Sequence, residues 1–561
     1  MTETVSFIQI LRLAALCIST FGYGAYFSRI MKTEFSQSFV FSGIACLMFL
    51  AGLANSLPAM AVIIFLGGFA ALAISTRRGL KPKTMLTWGN IFFAVICVYF
   101  VFLLYGSEFQ HWDNFSHWAT AVRVMVENNR FPNSSDVNIE FKSYPLGTAS
   151  LIYYGVFISG IKAEWLQMLI QSAAQAAMVL PLFAFAKKPE TNILAVLASL
   201  MLLCANKAFT ELLVDTILPL TAFAATAFIV YYRDEAEKRL LGMIPFLMLL
   251  VITKNSGLLF AILAYIYALV IYIRRKGRAL PAIITAAAPA AALLLWQLHV
   301  RLTFSGGMES IHSMSVENYR SELAQKSAED IRLIHQLIYN YTVRRANPFV
   351  WLAVLMLALL IIAVVFRRKN KACGCVISIL VFSGTAYMIY QISLLGSYIL
   401  SMPREEAIVI AAYYRYHQTI LIFCGALIAV AAIMLCEELK GTISFRALSW
   451  SVCAVAALLL YKGVTPELEY YTRQSLDGTT RQLFDTLIAE NSLENGKRCL
   501  IAGGTEEGDT KYYRYMAGYL LNPSQCDSCT LAELEDGTVN TDSYDYTIIF
   551  TEDGGQVICG S

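Results

Sequence analysis

Residues 111 to 147 read HWDNFSHWATAVRVMVENNRFPNSSDVNIEFKSYPLG, placing a carboxylate and imidazoles among aromatic rings. Asp113 and His117 are four residues apart and share a face if the segment is helical. A carboxylate held beside apolar rings gains proton affinity, which suits a general base acting on a hydroxyl. Alternatively, Asp113 caps the following helix while Trp112 and Trp118 anchor it at the headgroup level of a membrane. Four more ionisable residues stand at the ends of apolar runs: Glu211 and Asp215 open TELLVDTILPLTAF, Lys254 interrupts VITKNSGLLF, and Arg415 sits in AAYYRYHQTI. A charge in or near hydrocarbon is costly unless it faces the protein interior or a wet cavity. Each is therefore a functional group, a satisfied interhelical pair or a snorkelling side chain.

The surroundings of these residues follow from composition. Of 561 residues, 57% are hydrophobic and 15% charged, whereas soluble domains average about 45–50% and about 25%. The apolar residues come in blocks of about 15–23, the length that crosses a hydrocarbon core about 30 Å thick. This predicts a polytopic α-helical membrane protein. Spans are expected near 5–27, 38–55, 58–75, 87–105, 163–186, 191–206, 211–232, 240–253, 255–273, 280–298, 347–366, 372–394, 417–436 and 443–461. With 43 Lys and Arg against 40 Asp and Glu there is no nucleic-acid footprint. The N-terminal MTETV lacks the basic region of a cleavable leader.

Orientation is set by the basic short loops. Clusters at Arg77–Lys83, Lys187–Lys188, Arg233–Arg239, Arg274–Arg278 and Arg367–Lys371 share the cytoplasmic side only if the apolar stretch 146–161 does not cross. That gives about fourteen spans with both termini outside, and it places the loops 106–147 and 299–346 and the tail on the extracytoplasmic face. Asp113, Glu211, Asp215, Lys254 and Arg415 then lie toward that face, as do all six histidines: His111, His117, His299, His312, His335 and His417. Such a set could ligate a metal or relay protons, but no H-x-x-x-H or H-E-x-x-H spacing accompanies it. The bland alternative is that histidine avoids spans and the large aqueous loops are outside.

The chain divides into a transmembrane domain, 1–461, and a small soluble α/β domain, 462–561. The latter holds seven Lys and Arg against seventeen Asp and Glu. Within it, 498–503 and 544–550 are predicted strands, and 480–491 and 511–521 predicted helices. Gly503, Gly504 and Gly508 form a strand-to-helix turn whose spacing is wrong for a dinucleotide fingerprint. Cys499, Cys526, Cys529 and Cys559 allow one or two disulfides or free thiols, while a lone C-x2-C pair is half a zinc site.

The order of these features resembles the GT-C superfamily of membrane glycosyltransferases, which includes protein O-mannosyltransferases and lipid A aminoarabinose transferases. The resemblance rests on Asp113 with aromatic neighbours in a long outer loop, and on Tyr144, Pro145 and Gly147 closing that loop. Asp215 opens a later span, a Thr253-Lys254-x-x-Gly257 break follows, and Arg415 and Tyr416 come last. Four spans precede the loop here, about three more than the family usually has, and Asn114 replaces the second acid of the family's common pair. The resemblance implies an inverting transfer of sugar from a polyprenyl-phosphate donor to an envelope glycan, lipid or protein acceptor, among membrane lipids at the outer face of the cell membrane. It makes Asp113 the general base beside His117, and Lys254 and Arg415 the grip on the carrier phosphate. Glu211 or Asp215 would orient the acceptor or a divalent cation, with Tyr144 and Tyr416 completing the substrate site. No other cofactor is implied.

Two other functions compete. A polysaccharide polymerase or ligase acting on a lipid-linked glycan could use His312, Arg320, Arg332 and His335 of the 299–346 loop. A transporter or flippase should carry midplane charges in a repeated set of spans, and neither feature is evident.

Overall fold

The computed structural model describes residues 5–136, 139–205, 211–304, 316–344, 348–368, 372–438, 479–503, 507–551 and 554–560. The predicted span 443–461, the start of the tail and His312 lie outside the described residues.

Nine helices among the described residues are long and apolar enough to cross a membrane: Phe7–Phe27, Thr33–Leu53, Leu57–Arg77, Glu164–Phe185, Gly257–Arg274, Ala279–Thr303, Pro348–Phe366, Ala372–Leu400 and Tyr413–Glu438. Trp88–Leu104, Gly147–Ser159, Pro189–Cys204 and Ile217–Tyr231 are apolar but shorter. The chain is a polytopic helical membrane protein. Burial sorts the helices into an inner and an outer set. Pro348–Phe366 leaves Trp351, Leu357, Ile361 and Val365 exposed, and Phe7–Phe27 does the same with Phe7, Ile8 and Leu11. Outward-facing apolar side chains of that size match a lipid solvent. Ile217–Tyr231 is instead buried from Ile217 to Val230, as expected for an all-apolar helix enclosed by others. Glu164–Val179 and Tyr413–Glu438 are mostly buried beside it.

The doubtful stretch 146–161 forms the helix Gly147–Ser159. Its 13 residues span about 20 Å at 1.5 Å per residue, short of a hydrocarbon core of about 30 Å. Gly160, at φ +72°, ends it in a left-handed cap, and its carbonyl accepts from Gln9 Nε2 at 2.7 Å. Two predicted spans shift at their ends. The one at 211–232 begins only at Ile217, with 211–216 an irregular turn. The one at 280–298 runs on to Thr303, so the following loop starts later and contains the helices Val316–Ala324 and Ala328–Tyr339.

Helix ends meet in an ordered way. Arg29 Nη1 donates to the Arg78 carbonyl at 2.9 Å, Arg239 Nη1 to the Ile30 carbonyl at 2.7 Å, and Lys32 N–H to the Tyr232 hydroxyl at 2.6 Å. Arg275 pairs with Asp234. Lys188 Nζ caps the last carbonyls of Tyr413–Glu438, Cys436 at 3.2 Å and Glu437 at 3.1 Å, a favourable place for a cation. Asp215, Lys254 and Arg415 stand at the other ends of Ile217–Tyr231, Gly257–Arg274 and Tyr413–Glu438.

The tail forms a four-stranded sheet of β1 (Arg498–Gly503), β2 (Gln525–Cys529), β3 (Tyr546–Thr551) and β4 (Gly554–Cys559), in the order β2-β1-β3-β4. β1 runs parallel to β2 and β3, and β4 antiparallel to β3. The helices Thr480–Glu490 and Glu507–Leu521 accompany it. Cys499, Cys526, Cys529 and Cys559 are free thiols, the first three buried. Through Tyr512, Tyr515 and Tyr519, on one face of its helix, the tail packs on the 106–118 segment. Tyr512 Oη donates to the Gln110 carbonyl at 2.8 Å, and its ring stacks on Trp112 at 6.0 Å. Tyr515 meets Trp112 edge-on, and Tyr519 packs on Phe109 and Phe115. The predicted headgroup anchoring is thereby corrected: Trp112 packs on the tail, and Trp118 is buried against His117 and Tyr144.

Candidate active site

Four charged side chains from four distant segments converge. Arg415 donates through Nε and Nη2 to Asp215 Oδ2, at 3.0 and 2.8 Å, and through Nη2 to Asp113 Oδ2 at 2.7 Å. Lys254 Nζ stands 3.5 Å from the other Asp215 oxygen and 5.2 Å from the centroid of the Tyr416 ring. Two carboxylates and two cations thus form a balanced cluster. Asp215 and Lys254 are its buried half, with side chains 6% and 13% exposed, while Asp113 and Arg415 keep 30% and 24% of their surface open. The expectation that Asp113 caps the following helix is not met. Asp113 occupies the position ahead of the turn Asn114–Trp118, but its side chain makes no capping bond and points to Arg415 instead.

Local backbone features aim each group. Asn114–Trp118 is a wide, π-helical turn, a form frequent at functional sites. Asn114 clamps it to the 211–216 turn: its amide donates to the Glu211 carboxylate, and its Oδ1 accepts from Leu212 N–H at 3.0 Å. Gln171 secures the same turn from below, donating to the Leu213 carbonyl at 3.0 Å. Asp113 and Asp215 are therefore set opposite one another by an amide one residue from the first and by a turn just before the second. Lys254 sits in extended backbone between two helices, where Gly257 allows a close return of the chain: a Cβ there would lie 1.9 Å from the Leu250 carbonyl. Arg415 follows a turn in which Ile410 and Ala412 adopt φ +46° and +57°. That region is unfavourable for a β-branched side chain and is found where surrounding structure enforces it. Here Tyr398 Oη donates to the Ala411 carbonyl, and Ala411 N–H to the Glu406 carbonyl at 2.9 Å.

The electrostatics differ from the sequence expectation in one respect. Burial raises the proton affinity of Asp113, but Arg415 and then His111 outweigh it and hold the group below the ordinary carboxylate range. The carboxyl with raised affinity is Glu211. Burial pushes it up to about 8, and hydrogen bonds from the His111 N–H and Asn114 only partly offset this. Glu211 thus faces Asn114 rather than the cluster and positions the loop. Its folded form holds a proton more tightly than the unfolded chain. The resulting stability is full below the ordinary pKa of 4.5 and is lost as pH rises through about 8. Glu211→Gln is expected to flatten that decline in thermal unfolding followed across the same pH window; parallel wild-type and variant curves would contradict the assignment.

The remaining candidates are distributed unevenly. His117 is buried within an aromatic frame of Trp118, Phe141 and Tyr144, and its Nε2 has no hydrogen-bond partner among the described residues. Burial drives its pKa down to about 3, so the ring is neutral. Despite the shared face it makes no hydrogen bond to Asp113 among the described residues. Tyr144 bridges His117 and the cluster, with its ring centroid 4.8 Å from that of His117 and its hydroxyl within electrostatic range of Lys254. His111 accepts the Asp113 N–H through Nδ1 at 3.0 Å. His299 stacks on Trp296, and His417 bonds the Tyr387 hydroxyl at 3.0 Å. Arg332 and His335 are exposed on their helix. Among the described residues no three of His, Cys, Asp and Glu gather to hold a metal, and Asp113 and Asp215 are bridged by a guanidinium. This donor set does not fit a divalent cation.

Sequence reasoning missed Asn114, the Ile410–Ala412 turn and the tail contacts. It also missed Gln167, Gln171 and Gln175, whose four-residue spacing in an apolar helix was a visible signal of a polar stripe. Compared with protein-family models the chain matches none, and no curated protein sequence matches it significantly.

Proposed function

We propose that the chain is an inverting glycosyltransferase of the GT-C type, with about fourteen spans, working at the extracytoplasmic face of the cell membrane with its α/β tail on the same side. It moves a sugar from a polyprenyl-phosphate carrier to a hydroxyl of an envelope glycan, lipid or protein. The observation that carries this reading is the bridge of Arg415 between Asp113 and Asp215 with Lys254 alongside. A base and two phosphate-binding cations are then within one side chain's reach of each other. Asp215 holds Lys254 and Arg415 in place. Among the described residues Arg415 spends only Nε and Nη2 on the carboxylates, so Nη1 is available for a phosphate oxygen, and an Arg fork suits that geometry.

In the reaction, the acceptor oxygen bonds to the anomeric carbon opposite the carrier as the carbon–oxygen bond to phosphate breaks. The acceptor proton passes to Asp113, and the charge developing on the phosphate is met by Lys254 and Arg415. Attack from the side opposite the leaving group inverts the anomeric centre. A phosphate that draws Arg415 toward itself also frees Asp113 from its strongest partner, so the base gains proton affinity when the donor is bound.

The proposed orientation is supported by the gathering of Arg29, Lys32, Arg239 and Arg275 at helix ends remote from Asp215, Lys254 and Arg415, since retained loops are the basic ones. Cysteine labelling from outside is expected to reach a probe near residue 310 and not one near 276. The opposite pattern would place the cluster in the cytosol. Polyprenyl phosphate is the common product whatever the sugar, so its binding in nanodiscs tests the clamp directly. Lys254→Ala is expected to weaken it at least about tenfold, as befits loss of a charged partner at a partly buried site. Equal affinity in both proteins would remove the phosphate assignment.

A further inference from the structure

A second recess lies behind the Asn114–Trp118 turn. It is a cleft of about 500 Å³ between the Glu164–Val179 helix and the tail helix Thr480–Glu490, within the size range of small-molecule sites. Most of its charged walls are paired within the protein, while Glu108 and Lys162 also line it. Arg481 bonds Asp485 through Nε at 2.9 Å and Glu164 through Nη2 at 3.2 Å, and Arg123 bonds Glu127 at 2.8 Å. Two residues that line this cleft nevertheless carry a polar atom with no partner among the described residues. Arg481 Nη1, on a residue 6% exposed, and Gln167 Oε1, on a residue 5% exposed, are buried with no hydrogen-bond partner. The Gln167 amide nitrogen is occupied, donating to the Lys162 carbonyl at 3.1 Å. A buried orphan donor and a buried orphan acceptor on residues that line one cleft are expensive unless a ligand satisfies them.

We propose that this cleft binds a neutral, hydroxyl-rich ligand of the saccharide class. A hydroxyl both donates and accepts, so the hydroxyls of one saccharide can serve an acceptor such as Gln167 Oε1 and a donor such as Arg481 Nη1. The paired carboxylates of Glu127, Glu164 and Asp485 retain lone pairs for further O–H donors. An anionic ligand would meet the four carboxylates of Glu108, Glu127, Glu164 and Asp485 against three cations, Arg123, Lys162 and Arg481, of which both guanidinium groups are already paired. A peptide would present N–H and C=O groups one for one and require apolar walls for its side chains. At the rim Tyr105, 45% exposed and 5.2 Å from the Trp165 ring, offers a face on which a sugar ring can lie.

The cleft and the charged cluster share a wall. Arg481 lies over the Phe115 ring at 5.9 Å, two residues from Asp113, and Gln171, one turn beyond Gln167, holds the turn that carries Asp215. Saccharide binding stands independently of the transfer reaction; only the identification of the ligand as the acceptor glycan rests on the proposed function.

The test uses the full chain in nanodiscs. Maltotriose, cellotriose, mannotriose and N,N′,N″-triacetylchitotriose are the neutral probes, with a trigalacturonate and a neutral tripeptide as controls, and binding is read by saturation-transfer NMR and by titration. At least one neutral trisaccharide is expected to bind in preference to both controls. Gln167→Leu and Tyr105→Ala are each expected to weaken it at least about tenfold, a result of losing one buried hydrogen bond or one ring face. Asp113→Asn is expected to bind as wild type does. Tyr105 is at the rim, so its variant remains informative if Gln167→Leu does not fold. Absence of saccharide binding, preference for the uronate or the peptide, or wild-type affinity in the cleft variants would overturn the proposal. If Asp113→Asn retains transfer while saccharide binding still depends on Gln167 and Tyr105, the transferase assignment fails and the cleft stands.

Discussion

Arg415→Ala is expected to be the most damaging single substitution in the protein, for stability and activity together. Arg415 is the only cation within hydrogen-bonding distance of both Asp113 and Asp215 among the described residues. Without it two carboxylates face each other, and Lys254, at 3.5 Å from Asp215, is left to balance both. Removing one partner of a buried pair costs about 3–5 kcal/mol, because the other charge remains desolvated. Asp113 retains 30% of its surface, which places the expected loss toward the lower end. Transfer should fall by about 10²–10³ beyond any loss of folded protein, the usual effect of deleting one transition-state donor. The two effects separate in Arg415→Gln combined with Asp113→Asn. That pair leaves Asp215 and Lys254 as a balanced couple, so melting should recover most of the way to wild type while transfer stays absent. Unchanged melting of Arg415→Ala would show that the cluster does not hold these helices together.

Asp215, Lys254 and Arg415 were legible in the sequence because each breaks or ends an apolar run, where an ionisable group must have a partner or a function, and Asp113 was legible from its aromatic neighbours in the outer loop. What the sequence withheld was which partner each had. The Asn114–Glu211 bond joins residues 97 apart, and nothing in local pattern distinguishes Asn114 from an ordinary loop residue. Burial was misassigned for the same reason. Rings beside Asp113 in sequence suggested a raised proton affinity, whereas in space its nearest strong influence is a guanidinium 302 residues away. Glu211 lacks such a cation and therefore holds the tighter proton. In the tail, β1 and β3 were readable from their apolar runs, but β2 (QCDSC) and β4 (GGQVIC) carry too few apolar residues to show as strands alone. They are defined by pairing with neighbours. The turn before Arg415 is invisible to pattern reasoning altogether, since Ile410 and Ala412 are residues that ordinarily avoid positive φ.

Asp113→Asn is expected to lower transfer by about 10²–10⁴, the range for loss of a general base, with little change in melting. Asparagine retains an oxygen to accept from Arg415 Nη2, and both Arg415 bonds to Asp215 persist. The pH dependence gives a sharper test, because in the free protein Arg415 keeps Asp113 ionised below the ordinary carboxylate pKa of 3.8. kcat/KM, which reports the free enzyme, should therefore show no acid limb from this group at any pH where the protein is folded. kcat reports the donor complex, in which the phosphate competes for Arg415, so its acid limb should move upward and vanish in a variant that cannot release the guanidinium. Coincident acid limbs in kcat and kcat/KM would mean that Arg415 does not leave Asp113 when the donor binds. Full transfer by Asp113→Asn would shift the search for the base to Glu211, the neighbouring carboxyl whose pKa of about 8 lies closest to neutrality.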